Sequence, residues 1–419
     1  MRILWLSHLV PYPPKGGVLQ RSHHLLKQIS KEFNVDLLAF HQPKLMRPIF
    51  SDVDKGLEIS QTELSKFCSH IEVFSIPAGT STFNMSILAL KSLVTRAPYN
   101  INWLKSDSFA SRMSKLLKDN KYDLIHFDTV SLYPFLKLAP PGVTTSLDHH
   151  NIESQMLLRR SQVETNLLKK LYFHQEGRRL KYYEKKFSEH VDINITCSAI
   201  DTDRLYKVAP AANVLTVPNG VDTDFFSPLD LIKEKSTEKK IVFIGRLNWY
   251  PNKQAVIYIV EKIWPLLKEK FPDVVCDIIG ANPPTQAIQL SEVDPFFNVH
   301  GFMDDIHPYM STSTIYLCPI FDGGGTKLKV LDALAMAMPI VAHPIACEGI
   351  TVQENTNVLF ARRPTEFVDQ ISKLFEDESL KLSIGKSGRR LIEQSYSFEA
   401  IGKKLTEAFI DRIDQTGRS

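Results

Sequence analysis

Short apolar runs alternate with helical stretches along the chain, and the alternation starts afresh half-way. In the first half, residues 3–6, 35–40, 71–75, 124–127, 144–148, 192–197 and 214–217 read as buried strands. A Pro/Gly loop over 8–17 follows the first of them. A helix over 19–33 comes next, with Leu25, Leu26 and Ile29 on one face. Strands that are apolar on both faces and separated by helices belong to a parallel sheet covered on both sides. A turn-rich segment, 218–228, and a charged run, 232–240, then interrupt the pattern. It resumes with a strand over 240–244, a helix over 254–270, and strands over 275–279, 299–301, 315–319 and 339–343. The restart implies two doubly wound α/β domains, 1–217 and 218–396, with a binding cleft between them. The closing helix, 397–419, carries an apolar stripe (Ile401, Leu405, Phe409, Ile413) and is expected to return to the first domain.

With 419 residues, 43% hydrophobic and 23% charged, the chain has the composition of a soluble globular protein. Its five cysteines (Cys68, Cys197, Cys276, Cys318, Cys347) are scattered among apolar neighbours and never fall at metal-ligand spacing. They read as buried thiols in a reducing compartment. A net charge of +3 is too mild for a nucleic-acid partner. Residues 1–8 are too short an apolar run for a secretory signal, and no stretch is apolar enough to span a bilayer. A cytoplasmic protein is expected, with peripheral attachment at the inner membrane face left open. The helix over 167–187 motivates that option. Lys169, Lys170, Arg178, Arg179, Lys181, Lys185 and Lys186 outnumber its acids, and it reads either as a bilayer-facing segment or as a solvated face.

Residues 318–342 carry the most chemistry. An apolar strand runs into Gly323, Gly324, Gly325 and Thr326, then Lys327 and Lys329, then a small-residue helix. Glycines expose backbone amides, a helix start adds unpaired N–H groups, and the lysines add full charges. Together these can hold a diphosphate. An ordinary strand-turn-helix corner is the competing reading. Gly245 and Arg246 follow the restarted first strand, and Arg246 offers a planar fork suited to phosphate oxygens. Lys253 at the next helix start either balances a bound anion or makes a surface salt bridge. Gly280 ends the following strand. Asp332, one helical turn past the glycine loop, is either a dipole partner or an acceptor for two ribose hydroxyls.

In the first half, Gly16 and Gly17 permit close approach of backbone to ligand, or a simple tight turn. No G-x-G-x-x-G follows the first strand, which disfavours a dinucleotide site. At the end of another strand stand Asp148, His149, His150, Asn151 and Glu153. Carboxyl ends of parallel strands are where such sheets bind ligands. The cluster suits sugar contact, helix capping or, least readily, a metal.

These segments, in this order, resemble the GT-B fold glycosyltransferases of family 4. The likeness runs almost end to end. It rests on Pro14-Lys-Gly-Gly17, Asp148-His-His-Asn-Ile-Glu153, Val217-Pro-Asn-Gly-Val-Asp222 with Phe225, Phe243-Ile-Gly-Arg-Leu247, the segment 323–335, and Tyr396-Ser-Phe398. The resemblance implies an α/β, GT-B architecture of two Rossmann-like domains facing each other across a cleft. It implies a retaining transferase acting on a nucleotide-diphosphate sugar, with the donor on the second domain, a saccharide or lipid-linked acceptor on the first, and no cofactor or metal. Arg246 then contacts the diphosphate, Asp332 the ribose, and His150 the transferred sugar, while Gly16 and Gly17 approach the phosphates. Phe302 joins the donor side. Asp148, His149, Asn151 and Glu153 fall on the acceptor side. The diphosphate lysine has two candidates, Lys253 and Lys327, of which Lys327 joins His150 and Arg246 in the catalytic set. Two positions depart from the family pattern: Gly324 stands where many members carry glutamate, and Asp332 replaces the usual glutamate. A non-hydrolysing nucleotide-sugar epimerase and a catalytically weak GT-B assembly subunit are the competing readings.

Overall fold

The computed structural model describes residues 1–47, 49–77, 82–228, 239–322 and 325–417, with backbone alone at 82 and 83. Gly323, Gly324 and residues 232–238 of the charged run lie outside the described residues. The chain forms two compact units, Met1–Pro218 with Ile401–Ser419, and Asn219–Ala400.

The first unit is built on a parallel sheet of β1 (Arg2–Ser7), β2 (Asn34–His41), β3 (His70–Ser75), β4 (Leu124–Phe127), β5 (Thr144–His149), β6 (Ile193–Thr196) and β7 (Val214–Thr216). The order across it is β3-β2-β1-β4-β5-β6-β7. Ile3, Leu4, Trp5 and Leu6 of β1 are all buried, as the continuous apolar run requires of a strand sandwiched between helices. The helix Phe398–Thr416 closes this unit. It buries Ile401, Leu405 and Phe409, joins Lys404 Nζ to the Thr216 carbonyl at 2.8 Å, and pairs Arg412 with Asp192 at 2.9 Å.

The second unit repeats the plan with β8 (Lys240–Ile244), β9 (Val275–Ile279), β10 (Phe297–Gly301), β11 (Ile315–Cys318), β12 (Ile340–Ala342) and β13 (Leu359–Phe360), ordered β10-β9-β8-β11-β12-β13. The helix after β8 starts at Tyr250, earlier than its apolar pattern suggests. Pro251 in its first turn has the backbone angle of a helix start and no N–H to leave unpaired. Before Pro265, which cannot donate a helical hydrogen bond, the helix widens into a π turn over Ile259–Ile263. Arg389 satisfies the end of the helix Leu328–Ala335 by donating to the Ala335 carbonyl at 2.7 Å, and also donates to the Phe226 carbonyl at 2.6 Å.

The ends of β8 and β9 touch through two glycines. Gly280 has φ +151, and a Cβ there would lie 1.8 Å from the Gly245 carbonyl oxygen. Gly280→Ala must therefore spread the two strand ends, a cost of about 1–3 kcal/mol. An unchanged urea midpoint for the second unit would contradict this close packing.

Candidate active site

A doubly wound sheet opens a crevice at the carboxyl ends of the two strands whose connections leave in opposite directions. In the second unit these strands are β8 and β11. The loop after β8 and the helix Leu328–Ala335 after β11 meet there. Lys329, in the first turn of that helix, points its ammonium at the Asn252 Oδ1. Asn252 is buried and is fixed in turn by donating Nδ2 to the Arg246 carbonyl at 2.9 Å. The ammonium lies so near Gly245 that a Cβ on that residue would be 2.5 Å from Nζ. It also lies 5.0 Å from the centre of the Phe243 ring. Burial pulls the Lys329 pKa down to about 8. One turn further, on the same helix face, burial pushes the partly buried Asp332 up to about 7, against the pull of Lys329.

The neighbouring lysines are placed differently. Lys327 is buried, and its ammonium turns back to the Gly325 carbonyl at 2.9 Å, with burial lowering its pKa. Lys253 is exposed in the first turn of Tyr250–Tyr258. The lysine that the fold brings to the crevice is Lys329. Two lysines two positions apart cannot share a helix face, and Lys327 precedes the helix as its N-cap residue. Lys329 stands three residues before Asp332, on the same face of the helix. Arg246 is exposed beside the crevice, and Phe302 is exposed just beyond β10. Gly325 has φ +77, which suits glycine. The Thr326 hydroxyl is buried without a partner among the described residues.

In the first unit the crevice lies between β1 and β4. Asp128, directly after β4, is its hub and was missed in the sequence, although a polar residue at the end of a buried parallel strand is the same signal that singled out His150. Its carboxylate accepts from Ser7 Oγ at 2.7 Å, Ser22 Oγ at 3.1 Å, His8 Nδ1 at 3.1 Å and His150 Nε2 at 3.1 Å. Burial favours a neutral Asp128, yet the two imidazoles outweigh it and hold the carboxyl well below the usual range. Burial likewise opposes charge on His150, and Asp128 reverses that and raises its pKa. His150 Nδ1 is buried and has no partner among the described residues. His8, Asp128 and His150 place ligand atoms within 4.8 Å of one another, a spacing open to a metal ion. The two nitrogens that face the carboxylate, His8 Nδ1 and His150 Nε2, are already hydrogen-bonded to it, and a nitrogen that donates its N–H there has no lone pair for a metal.

Three further residues of the 148–153 cluster, Asp148, His149 and Glu153, are engaged by neighbouring side chains. Asp148 is buried and forms a two-pronged ion pair with buried Arg21, Nε to Oδ2 at 2.9 Å and Nη2 to Oδ1 at 3.2 Å. His149 is buried against Asn194 Oδ1 at 3.0 Å, with burial lowering its pKa. Glu153 accepts from Asn100 Nδ2 at 2.6 Å and Thr129 Oγ1 at 3.0 Å. Asn151 is exposed. Gly16, at φ +94, precedes the helix Gly17–Ile29, and both glycines are exposed, with open space where a Gly16 Cβ would go.

Residues 77–225 match the family described as Glycosyltransferase Family 4, and residues 238–377 match Glycosyl transferases group 1. Together the two matches take in most of the chain. It belongs to the family 4 glycosyltransferases. A relative in Klebsiella pneumoniae, an uncharacterized 44.6 kDa protein in the cps region, is 22% identical over 90% of this chain and 93% of its own length. Among solved structures, HepE of Anabaena in complex with UDP aligns with a TM-score of 0.64 at 16% identity over 98% of this chain and 100% of that one. Sucrose-phosphate synthase of Thermosynechococcus elongatus aligns at 0.66, with 15% identity, over 99% and 100%. The glycosyltransferase thus has the GT-B fold; the second unit's crevice lies within a matched segment, as do Asp128 and His150 of the first, while Ser7, His8 and Ser22 precede it.

Proposed function

We propose that this glycosyltransferase moves a sugar, with retention of configuration, from a nucleotide-diphosphate donor to a saccharide or lipid-linked acceptor in the assembly of cell-surface polysaccharide. The observation that carries the reading is the crevice of the second unit, where a buried ammonium, an exposed guanidinium and a helix start converge at a switch point. During transfer the anomeric carbon–oxygen bond breaks, the acceptor oxygen replaces it, and negative charge gathers on the departing diphosphate. Lys329 and Arg246 neutralise that charge at fixed positions, the part a metal plays in other transferases. Asp332 accepts hydrogen bonds from the ribose hydroxyls. In the first unit, Asp128 accepts from His150 Nε2 and fixes the ring, leaving Nδ1 for the sugar or phosphate. The setting in polysaccharide synthesis is supported by the cps-region relative, and a uridine nucleotide by the HepE complex with UDP.

The test is transfer from a panel of UDP- and GDP-hexoses to saccharide acceptors, with the product anomer read by NMR. An inverted product, or an isomerised sugar without transfer, would overturn the reading. The pH dependence gives a second handle. A diphosphate raises the pKa of Lys329 above its free value of about 8, so affinity is full below that pH and falls as pH rises past it. Asp332 must be ionised to accept ribose hydroxyls, so affinity also falls below about 7. Calorimetric titration with UDP or GDP should show tightest binding between these limits, with proton uptake on the alkaline side. A flat profile from pH 6 to about 9.5 would contradict the assignment of both groups.

A further inference from the structure

The helical hairpin of the first unit presents large apolar side chains to solvent. Val163 at the end of the helix Glu153–Val163 is 80% exposed. Leu168 near the start of the helix Leu167–Ser188 is 79% exposed, with Leu167 and Leu171 beside it on the same turn. A second helix, Thr82–Val94, adds Ile87, Leu90 (68%) and Val94 (85%), spaced to share one face. The two elements are joined. Arg179 donates from Nη1 to the Ser92 carbonyl at 2.6 Å and from Nη2 to the Leu93 carbonyl at 2.9 Å. Soluble proteins seldom expose so many large apolar side chains in one region unless something covers them.

Charge indicates what covers them. Lys91, Arg96, Arg159, Arg160, Lys169 and Lys170 are all exposed among these apolar residues. The segments 82–96 and 154–181 contain only two acids. One, Glu176, is buried and accepts from the Tyr99 amide at 2.6 Å. The other, Glu164, is half-buried and accepts from the Asn166 amide at 3.1 Å. The solvent face is therefore apolar and cationic together. Long basic side chains can lay their stems along the apolar surface and extend their charges to a plane of phosphates.

We infer that the hairpin tip and the helix Thr82–Val94 form a docking surface for an anionic lipid bilayer, in which the leucines and valines enter the interface and the flanking cations meet lipid phosphates. The surface lies on elements that hold none of the crevice side chains assigned to donor binding, so it goes beyond the transfer reaction and does not depend on it.

The experiment is co-sedimentation of the full chain with vesicles. Binding is expected to phosphatidylglycerol/phosphatidylethanolamine vesicles and not to pure phosphatidylcholine, weakening as salt rises. The double variants Lys169→Glu/Lys170→Glu and Val94→Ser/Leu168→Ser should each lower partitioning by about tenfold or more. All four positions are exposed, so melting and transfer to a soluble saccharide should stay at parent levels. Lys329→Ala should bind vesicles as the parent does, which separates failure of this surface from failure of the donor site. Three outcomes would overturn the inference: equal binding to neutral vesicles, no binding to anionic ones, or lipid-free self-association abolished by the same apolar substitutions.

Discussion

Arg21→Ala lowers the stability of the first unit by about 3–5 kcal/mol, the cost of leaving a buried charge without its partner. Arg21 and Asp148 are both nearly inaccessible and bind through two parallel hydrogen bonds. Burial works against the Arg21 charge, and Asp148 more than restores it, raising the pKa of an already strong base. Arg21 also donates from Nη1 to the Val217 carbonyl at 2.9 Å and the Pro218 carbonyl at 3.0 Å, so the helix Gly17–Ile29, β5 and the chain leaving β7 share one guanidinium. The expected readout is a joint loss of amide protection in the helix Gly17–Ile29 and β5 by hydrogen exchange. The double change Arg21→Met/Asp148→Leu removes both charges and should recover much of the loss. If the single variant exchanged no faster than the parent, the pair would not be holding these elements together.

Lys329→Ala should lower the transfer rate by about 100- to 1,000-fold, as loss of a fixed donor to developing negative charge does elsewhere. The position matters more than the charge. Lys253 is also a lysine near a helix start, yet it is exposed, and Lys253→Ala should change the rate by no more than about threefold. The same Lys329 substitution should abolish the alkaline limb of the binding profile, because the group that titrates near 8 is gone. Near-parent rates in Lys329→Ala, or a large loss in Lys253→Ala, would return the diphosphate to the other helix.

Much of this was legible in the residues. Apolar runs without alternation marked the parallel strands, since a strand covered on both faces has no polar side to show. All five cysteines are buried and free, as their apolar neighbours implied. β13 went unseen because two residues carry no periodicity. The candidate site was legible by strand end rather than by residue. Polar side chains at strand termini were correctly noticed, but sequence cannot say which of them turn inward. Asp148 and His149 turn into the protein, where Arg21 and Asn194 occupy them, while the next residue, His150, reaches Asp128. That choice is made by partners more than 20 residues away. Lys329 was read as one of the charges beside the glycine loop, but not its partner: Asn252 belongs to another βα loop, and only the sheet order brings the two together.

The closing helix has a consequence for how the protein is made. Gly402 packs on Gln28, Arg412 pairs with Asp192, and Thr416 Oγ1 is 3.2 Å from Thr144 Oγ1. The half of the chain synthesised first therefore lacks part of its own hydrophobic covering until residues 398–416 have been synthesised. The later half carries no such debt to distant sequence, so it can mature while the earlier one waits, reversing the usual N-to-C order of domain folding.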